Sequence, residues 1–502
     1  MRGRRLLVLM ITLVIGFGIN TIPSSAVTSG SMTIYGLYLQ RDGASAVTTD
    51  RYGDAVLIES NGQYLLMDTG AKEPVKNSTE VHTSNLVKIL KQIGVTKLDV
   101  YISHFHIDHT GGLEDVLANF DVGTVYLPDR SLAKEYYTPN TETTISELHD
   151  KWENIISSYD GVKIQHLLPS YRTSTDESAT DTFSVGDVTA KVIGPYGDFT
   201  MAQFKSKDGV VGTQQGHYLN NYSLATVLTC GSTKFLTCGD IEEEEESKLV
   251  SKFGSSLNVD ILKANHHGLS TSNKENFVSK TTPKWSFMEN HGYECKASKA
   301  LLAKYGYNYP VGTELKSIII EVSENKVRIY RDSNKNYKAD ESPFKGWIKS
   351  GSNYQYYDSN GNIATGWISS SGNKYYMNSA SGLRTTGTKT INKTKCKFSS
   401  SGVLTSPAKP SKVKIYSGKS YKRSHAVTLK WKKVTNTSYY EVYRYNKSTK
   451  KYEKIKTTKS RSYKNSKLKK GKKYTYKVRS KKNVAGTTLY GSFSKTKTVK
   501  VR

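Results

Sequence analysis

The chain has 502 residues and a formal net charge of +29, so it is too long for one ordinary domain and strongly basic. Its 4 cysteines form no metal-type pair, and they are too few for a protein held together by disulfides. From residue 409 to 502, 31 Lys and Arg face only 2 acids, which accounts for the whole net charge. A neutral main part with a basic tail favours a polyanionic partner, either teichoic acid or another anionic wall polymer, or nucleic acid.

The first 26 residues have the pattern of a secretory signal. Three arginines are followed by an apolar run over residues 6–19 and by small residues at 24–26. That run is shorter than the roughly 20 residues of a membrane span, although an uncleaved anchor is the alternative. We therefore expect a secreted, cell-wall-associated protein of the Gram-positive type, with no transmembrane segment once residues 1–26 are removed.

Hydrophobic periodicity predicts a mixed α/β arrangement over the next 300 or so residues. A polar, Gly-rich loop is expected at 198–220, and Glu242 to Glu246 are expected to form the solvated first turn of a helix. The predicted helices are His82–Ile93, Leu113–Phe120 and Thr144–Tyr159. The predicted strands are Thr33–Leu39, Ala55–Glu59, Tyr64–Met67, 97–102, Val125–Leu127, Lys163–Leu167, Val188–Ile193, Ala225–Thr229, Lys234–Thr237, Val259–Lys263 and Trp285–Met288.

Four metal-capable side chains follow the predicted strand 97–102 within six residues: His104, His106, Asp108 and His109. On an extended loop, His104 and His106 project the same way and can bind one ion. Asp108 and His109 then turn towards a second ion. Neutral imidazole and carboxylate suit zinc and similar metals, so this segment predicts a metal site on a loop held by rigid elements.

This H-x-H-x-D-H segment resembles the signature of the metallo-β-lactamase-fold hydrolases. Asp68 in Leu-Leu-Met-Asp-Thr-Gly resembles that family's early aspartate, Asp240 in Thr-Cys-Gly-Asp its bridging aspartate, and the His266-His267-Gly268 segment its later histidine, in the same order. The resemblance implies a four-layer αββα sandwich over residues 32–332 that holds two zinc ions and catalyses hydrolysis. In such a site, Asp108 and Asp240 are the catalytic carboxylates.

The resemblance also implies how the two zinc shells are filled. His104 and His106 with His266 bind the first ion, Asp108 and His109 with His291 bind the second, and Asp240 bridges them. His267 is the main rival to His266, and His217 and Asn221 are further alternatives. Asp68 is expected to orient a ligand histidine through a hydrogen bond rather than bind metal. The remaining histidines, including His149, His166 and His425, are expected to be surface or core residues.

A repeat of about 20 residues occupies 343–405. Gly-Trp-Ile at 346 recurs at 366, and Tyr356-Tyr357 recurs as Tyr375-Tyr376, while a third copy has Thr388 in place of tryptophan. The pattern resembles choline-binding cell-wall repeats, in which aromatic cages bind a quaternary ammonium. That resemblance implies choline contacts by Trp347, Tyr357, Trp367 and Tyr376. The alternative is that both tryptophans only form the hairpin core.

The basic segment 408–502 has predicted strands at Ala426–Trp431, Tyr439–Tyr443 and Tyr474–Val478. It resembles a fibronectin type III domain, with Tyr474 in the position of a tyrosine corner. Such a β-sandwich would serve as a spacer or adhesion module.

Together these features resemble teichoic-acid phosphorylcholine esterases. The leading hypothesis is a cell-surface zinc phosphodiesterase that releases phosphorylcholine, or a similar group, from teichoic acid. The H-H-G segment also resembles the soluble domain of DNA-uptake competence proteins, so a secreted nuclease or other phosphodiesterase is the first alternative, and a lactonase or β-lactamase is another. The non-enzyme alternative is a wall-bound adhesin with a relic metal site.

Overall fold

The computed structural model describes residues 30–39, 53–74, 81–83, 85–132, 145–172, 179–207, 213–290, 295–312, 317–323, 326–334, 336–421 and 425–502. The predicted signal at 1–26 and His291 lie outside these residues. The described chain forms two compact units. The first unit comprises the described residues up to Lys299 with Tyr309–Val327 and Arg331–Lys338, and the second comprises Ala300–Asn308, Arg328–Tyr330 and Ala339–Arg502.

The strands up to residue 331 form two large sheets and a small hairpin, β4 with β5. In chain order they are β1 (Ser31–Gly36), β2 (Val56–Ser60), β3 (Gln63–Met67), β4 (Lys72–Pro74), β5 (Val81–Thr83), β6 (Lys97–Tyr101), β7 (Asp121–Pro128), β8 (Lys163–Leu167), β9 (Thr182–Val185), β10 (Val188–Gly194), β11 (Ala225–Cys230), β12 (Thr233–Thr237), β13 (Ile261–Lys263), β14 (Trp285–Asn290), β15 (Tyr307–Gly312), β16 (Ile318–Ser323) and β17 (Lys326–Arg331).

The first sheet has the order β17-β16-β1-β2-β3-β6-β7-β8, and the second has the order β15-β14-β13-β12-β11-β10-β9. In each sheet an antiparallel part gives way to a parallel part. β3, β6, β7 and β8 run parallel, as do β12, β13 and β14. Parallel neighbours end at the same edge, so the loops after β3, β6, β12 and β13 are available to build one site.

The α-helices follow these strands: α1 (Leu86–Ile93), α2 (Ile107–Thr110), α3 (Leu113–Asn119), α4 (Ile145–Ser157), α5 (Gln214–Asn220), α6 (Glu243–Phe253), α7 (Glu275–Thr281) and α8 (Lys296–Tyr305). Leu90, Val116 and Trp152 from α1, α3 and α4 pack with strand residues of the first sheet in one buried core. Between the sheets, the Tyr101 hydroxyl lies 2.8 Å from Thr226 Oγ1. The expected layered α/β sandwich is confirmed.

Three local expectations were wrong. Segment 198–220 is not only a loop, because Met201–Lys207 is a 3₁₀ helix and α5 follows, with Phe204 and Tyr218 buried. The first helix begins at Leu86 rather than at His82, which lies in β5. Glu242, Glu245 and Glu246 are buried rather than solvated. Each of these carboxylates accepts hydrogen bonds, which is what makes its burial tolerable.

The second unit is made of short hairpins followed by two further sheets. Its strands are β18 (Gly346–Ser350), β19 (Asn353–Tyr357), β20 (Gly366–Ser370), β21 (Asn373–Met377), β22 (Gly387–Ile391), β23 (Thr394–Phe398), β24 (Leu404–Ser406), β25 (Ile415–Ser420), β26 (Val427–Trp431), β27 (Tyr439–Asn446), β28 (Lys451–Thr458), β29 (Ser462–Asn465), β30 (Lys473–Val484), β31 (Thr487–Tyr490) and β32 (Lys497–Lys500).

Strands β25 to β32 form what we call the C-terminal sandwich. Sheet β25-β26-β29 and sheet β28-β27-β30-β31, to which β32 is added, share a core that includes Trp431, Tyr440 and Val478. The Tyr474 hydroxyl accepts a hydrogen bond from the Lys469 backbone, 3.1 Å away, which is the contact expected of a tyrosine corner. Across the described residues, no helix is long and apolar enough to cross a membrane.

Candidate metal centre

The candidate ligands all follow strands that end at one edge of the two sheets. After β6, the chain passes through His104 to His106, which is the N-cap of the single-turn helix α2. That helix carries Asp108 and His109. Asp240 follows β12, and His266 and His267 follow β13. The structure therefore brings together residues separated by up to about 160 positions in the sequence.

Asp240 is the centre of the cluster and is 2% exposed. Its Oδ2 lies 3.2 Å from His109 Nε2, 3.3 Å from His267 Nε2 and 3.8 Å from His266 Nε2. A carboxylate this close to three imidazoles fits the bridging position that the sequence suggested for Asp240.

The remaining donors form two close pairs. His104 Nε2 and His106 Nδ1 lie 3.0 Å apart. Asp108 Oδ2 lies 3.4 Å from His267 Nε2. His267, which we had ranked as a rival to His266 in the first shell, thus lies with Asp108 and His109. The structure does not describe His291, which had been assigned to that second shell.

The His266-His267 turn is held in an unusual backbone conformation. His266 has φ 46° and His267 has φ 53°, both in the left-handed region that residues with a side chain seldom adopt. Gly268 continues the turn with φ 79°, and a Cβ there would lie 1.9 Å from Met288 Cε. Two adjacent non-glycine residues in this region cost about 1–3 kcal/mol each, which is typical of functional sites. The turn is what presents both imidazoles to Asp240.

Asp68 orients the histidines as expected. Its Oδ2 lies 2.8 Å from His109 Nδ1, and its Oδ1 accepts a hydrogen bond of 2.7 Å from the Ser103 backbone. With Nδ1 engaged, the Nε2 atom of His109 is directed at Asp240. A carboxylate that fixes a histidine in this way is a common support for metal ligands.

Sequence reasoning missed a buried charged layer behind His267. Asp54 Oδ1 lies 2.8 Å from His267 Nδ1, and the other oxygen of Asp54 forms an ion pair with Lys263 Nζ. Glu289 lies beside this pair and accepts a hydrogen bond from the Ala55 backbone. Two signals in the sequence were available. Lys263 ends an apolar predicted strand, and Gly53-Asp54 directly precedes another predicted strand. Neither shows that these residues meet, because they are 209 positions apart.

The cluster needs a cation, and its residues fit a metal. Burial alone would lower the pKa of His109 and His267, but neighbouring carboxylates outweigh it and raise the pKa of both. Burial instead lowers the pKa of His104 and His106, which leaves these imidazoles neutral. Among the described residues, the buried Oδ1 of Asp240 has no hydrogen-bond partner. Neutral imidazoles beside unsatisfied carboxylate oxygens are the donor set that zinc prefers.

The outlying candidates have other contacts. His217 Nδ1 lies 2.7 Å from Glu242 Oε1, so a carboxylate already engages it. Asn221 Oδ1 accepts hydrogen bonds from the Glu242 and Glu245 backbones and so caps α6. His149 is buried and His425 is exposed, in line with the core and surface roles expected of them.

The repeat aromatics group differently from the prediction. Trp347 lies against Tyr356 and Tyr375, with centroid distances of 5.1 and 4.8 Å. Tyr357 is only 3% exposed, so the prediction that it contacts choline was wrong. Its neighbour Tyr356 takes that place because alternate residues of a strand face opposite sides.

The second predicted cage is filled by the protein itself. Trp367 Nε1 donates a hydrogen bond of 2.7 Å to the Ala485 carbonyl. Trp367 and Tyr376 also pack against a buried cluster that includes Phe398 and Leu489. The protein's own residues therefore hold Trp367, whereas choline contact by Trp347 stays a prediction.

Residues 48–284 match the family described as Metallo-beta-lactamase superfamily. Over these residues the chain has a domain similar to that superfamily. It is 23% identical over 255 residues to Competence protein ComA from Neisseria gonorrhoeae, covering 51% of this chain and 28% of that protein. It is 22% identical over 263 residues to ComE operon protein 3 from Bacillus subtilis (strain 168), covering 50% and 29%.

A shorter match has higher identity. This chain is 35% identical over 79 residues to Hydroxyacylglutathione hydrolase from Cronobacter sakazakii, covering 16% of this chain and 27% of that protein. This chain therefore spans less than a third of the length of each curated relative that it matches.

Proposed function

We propose that the metallo-β-lactamase domain is a two-zinc phosphodiesterase that acts outside the cell and cleaves DNA strands. The observation that carries the reaction class is the Asp240 carboxylate, whose Oδ2 lies 3.2, 3.3 and 3.8 Å from the Nε2 atoms of His109, His267 and His266. Two zinc ions held there would supply an activated water and a clamp for the phosphate oxygens.

The protein's own residues position the substrate and keep water out. Asp240 is 2% exposed, whereas the Asp108 side chain is 20% exposed and Ile107 is 50% exposed. The substrate therefore approaches over the α2 turn, with Ile107 at the rim. Phe105, Leu219 and Tyr222 line a small cleft beside His104.

DNA is favoured as the substrate by the relatives and by the charge distribution. Two matches to this domain are a competence protein and a ComE operon protein, and the H-H-G segment resembles DNA-uptake proteins. The excess positive charge of the chain lies entirely in residues 409–502, and a basic module suits a polyanion. For these two reasons we propose DNA ahead of teichoic acid, which is the leading hypothesis from the sequence alone.

A specific observation favours a second candidate, the release of phosphorylcholine from teichoic acid. Trp347, Tyr356 and Tyr375 form a half-buried aromatic group of the kind that binds quaternary ammonium. In that function the repeats would hold the enzyme on a choline-bearing wall.

The test compares substrates on the zinc-loaded full chain. Single-stranded DNA, bis(p-nitrophenyl) phosphate and p-nitrophenyl phosphorylcholine are incubated with wild type, Asp240→Asn and, as a matched control, the exposed Asp121→Asn. We expect turnover of DNA and of the diester that Asp240→Asn reduces at least about 1,000-fold and that Asp121→Asn leaves unchanged.

Turnover of the phosphorylcholine ester alone would establish the second candidate in place of the first. Zinc-bound, folded protein with no turnover of any of the three substrates would overturn the phosphodiesterase assignment.

A further inference from the structure

The outer face of one sheet in the C-terminal sandwich combines aromatic rings with cations. Alternation along β30 places Tyr476 and Val478 in the core and leaves Lys477, Arg479 and Lys481 on the opposite side. We call this side the aromatic–cationic face. Its rings are Tyr439, Tyr443, Tyr452, Tyr490 and Phe493, and its cations are Lys454, Lys459, Lys477, Arg479 and Lys481.

The rings and cations of this face are in direct contact. Lys477 Nζ lies 4.1 Å from the ring centroids of both Tyr452 and Phe493. The Arg479 guanidinium lies 3.8 Å from the Tyr490 centroid and 5.0 Å from that of Phe493. Such contacts hold flexible basic side chains in fixed positions, which lowers the entropy lost when they bind a ligand.

The face carries one carboxylate, and its cations outnumber it. Glu441 lies opposite Arg479 in the β27–β30 register and accepts a hydrogen bond of 2.9 Å from it. Lys454 Nζ and Lys481 Nζ also lie 3.5 and 3.8 Å from Glu441. The face is therefore strongly positive, even after Glu441 is counted.

A basic face that serves only solubility has no need of aromatic residues, and the core of this sandwich lies on the other side of the sheet. We propose that the aromatic–cationic face binds single-stranded nucleic acid, with Lys477 and Arg479 at the phosphates and the rings available for base stacking. Rings stack on bases only where those bases are unpaired, whereas a duplex offers mainly its backbone and teichoic acid has no bases.

This proposal rests on the proposed DNA phosphodiesterase function, because the aromatic–cationic face would give the enzyme a second contact with the strand that it cleaves. Its test is independent of catalysis. The full chain in EDTA is titrated into a 5′-labelled oligo(dT) of about 20 nucleotides, and fluorescence anisotropy is measured between about 50 and 200 mM salt.

We expect Lys477→Ala/Arg479→Ala to weaken binding at least tenfold. It should also reduce the slope of log K against log salt by about 1.4, since each lost phosphate contact contributes about 0.7 for a single strand. The matched control is Lys430→Ala/Lys464→Ala, which removes the same charge from exposed positions on the other sheet. The control should weaken binding less than threefold.

A second pair of changes separates stacking from charge. Tyr452→Leu/Phe493→Leu keeps every cation. It should weaken the binding of oligo(dT) at least about fivefold and change the binding of inorganic polyphosphate less than twofold. Circular dichroism checks that the sheet is retained.

Three results would overturn the proposal. The first is no binding of oligo(dT) at the lowest salt concentration. The second is a loss of affinity in Lys430→Ala/Lys464→Ala equal to that in Lys477→Ala/Arg479→Ala. The third is a Tyr452→Leu/Phe493→Leu variant that binds oligo(dT) like wild type. The last result together with tight polyphosphate binding would point to a ring-free polyanion such as teichoic acid. Hydrolysis of the small diester by zinc-loaded Lys477→Ala/Arg479→Ala tests the catalytic proposal separately.

Discussion

Replacing Lys263 with methionine tests the buried charged layer behind the metal centre. The side chains of Lys263 and Asp54 are 3% and 1% exposed. Burial alone would lower the pKa of Lys263, but the carboxylates of Asp54, Glu289 and Asp240 outweigh it and raise that pKa. In Lys263→Met, Asp54 keeps its charge in the core without the lysine. Breaking such a pair costs about 3–5 kcal/mol, whereas replacing both partners together costs much less.

Urea unfolding in EDTA measures this effect without bound metal. With an m-value of about 3 kcal/mol per M, Lys263→Met should lower the midpoint of the first unit by about 1–1.7 M. The tryptophan fluorescence of Trp152 and Trp285 reports on this unit, and the transition of the second unit should not move. The matched control is the double variant Asp54→Asn/Lys263→Met, which should recover at least about half of the lost free energy of unfolding.

Two outcomes would refute this reasoning. One is a midpoint for Lys263→Met within about 0.3 M of wild type, which would mean that Asp54 and Lys263 do not depend on each other. The other is a double variant as unstable as Lys263→Met, which would mean that lost packing, not an unpaired charge, is the cause.

Three further predictions concern other parts of the chain. Burial lowers the pKa of His149 to about 4, so the unfolded state binds a proton more readily between about pH 4 and 6.5, and stability falls as the pH drops through this window. At pH 5 this amounts to about 2 kcal/mol, and urea midpoints at pH 7.5 and 5 should show a smaller loss in His149→Leu than in wild type. Trp367→Ala should destabilise the second unit by about 2–4 kcal/mol in a thermal melt, because its ring packs against a buried cluster. Trp347→Ala should cost less and should instead abolish any choline-induced change in fluorescence. The zinc content, measured by mass spectrometry after dialysis, should fall from two ions per chain to one in His267→Ala, and an unchanged content would remove His267 from the ligand set.

Much of the candidate site could be predicted because its central motif is local. His104, His106, Asp108 and His109 lie within six residues, so spacing and side-chain chemistry alone indicate a metal loop after a strand. The alternation of β30 and the twenty-residue repeat can also be read from the sequence, because both patterns are periodic. The charge of the tail is a matter of counting, and no tertiary contact alters it.

Other features depended on contacts between distant segments. The sequence put His266 ahead of His267 but could not show how either is directed, because their directions are set by two left-handed residues and by a glycine that packs on Met288. The acidic run after Asp240 looks like a solvated helix start, and only the folded chain supplies the backbone donors that bury Glu245 and Glu246. The pairing of Asp54 with Lys263 joins the segment that leads into β2 to a strand of the other sheet. Local patterns thus identified which residues carry the chemistry, whereas the packing of the two sheets decided which of them meet and how they are directed.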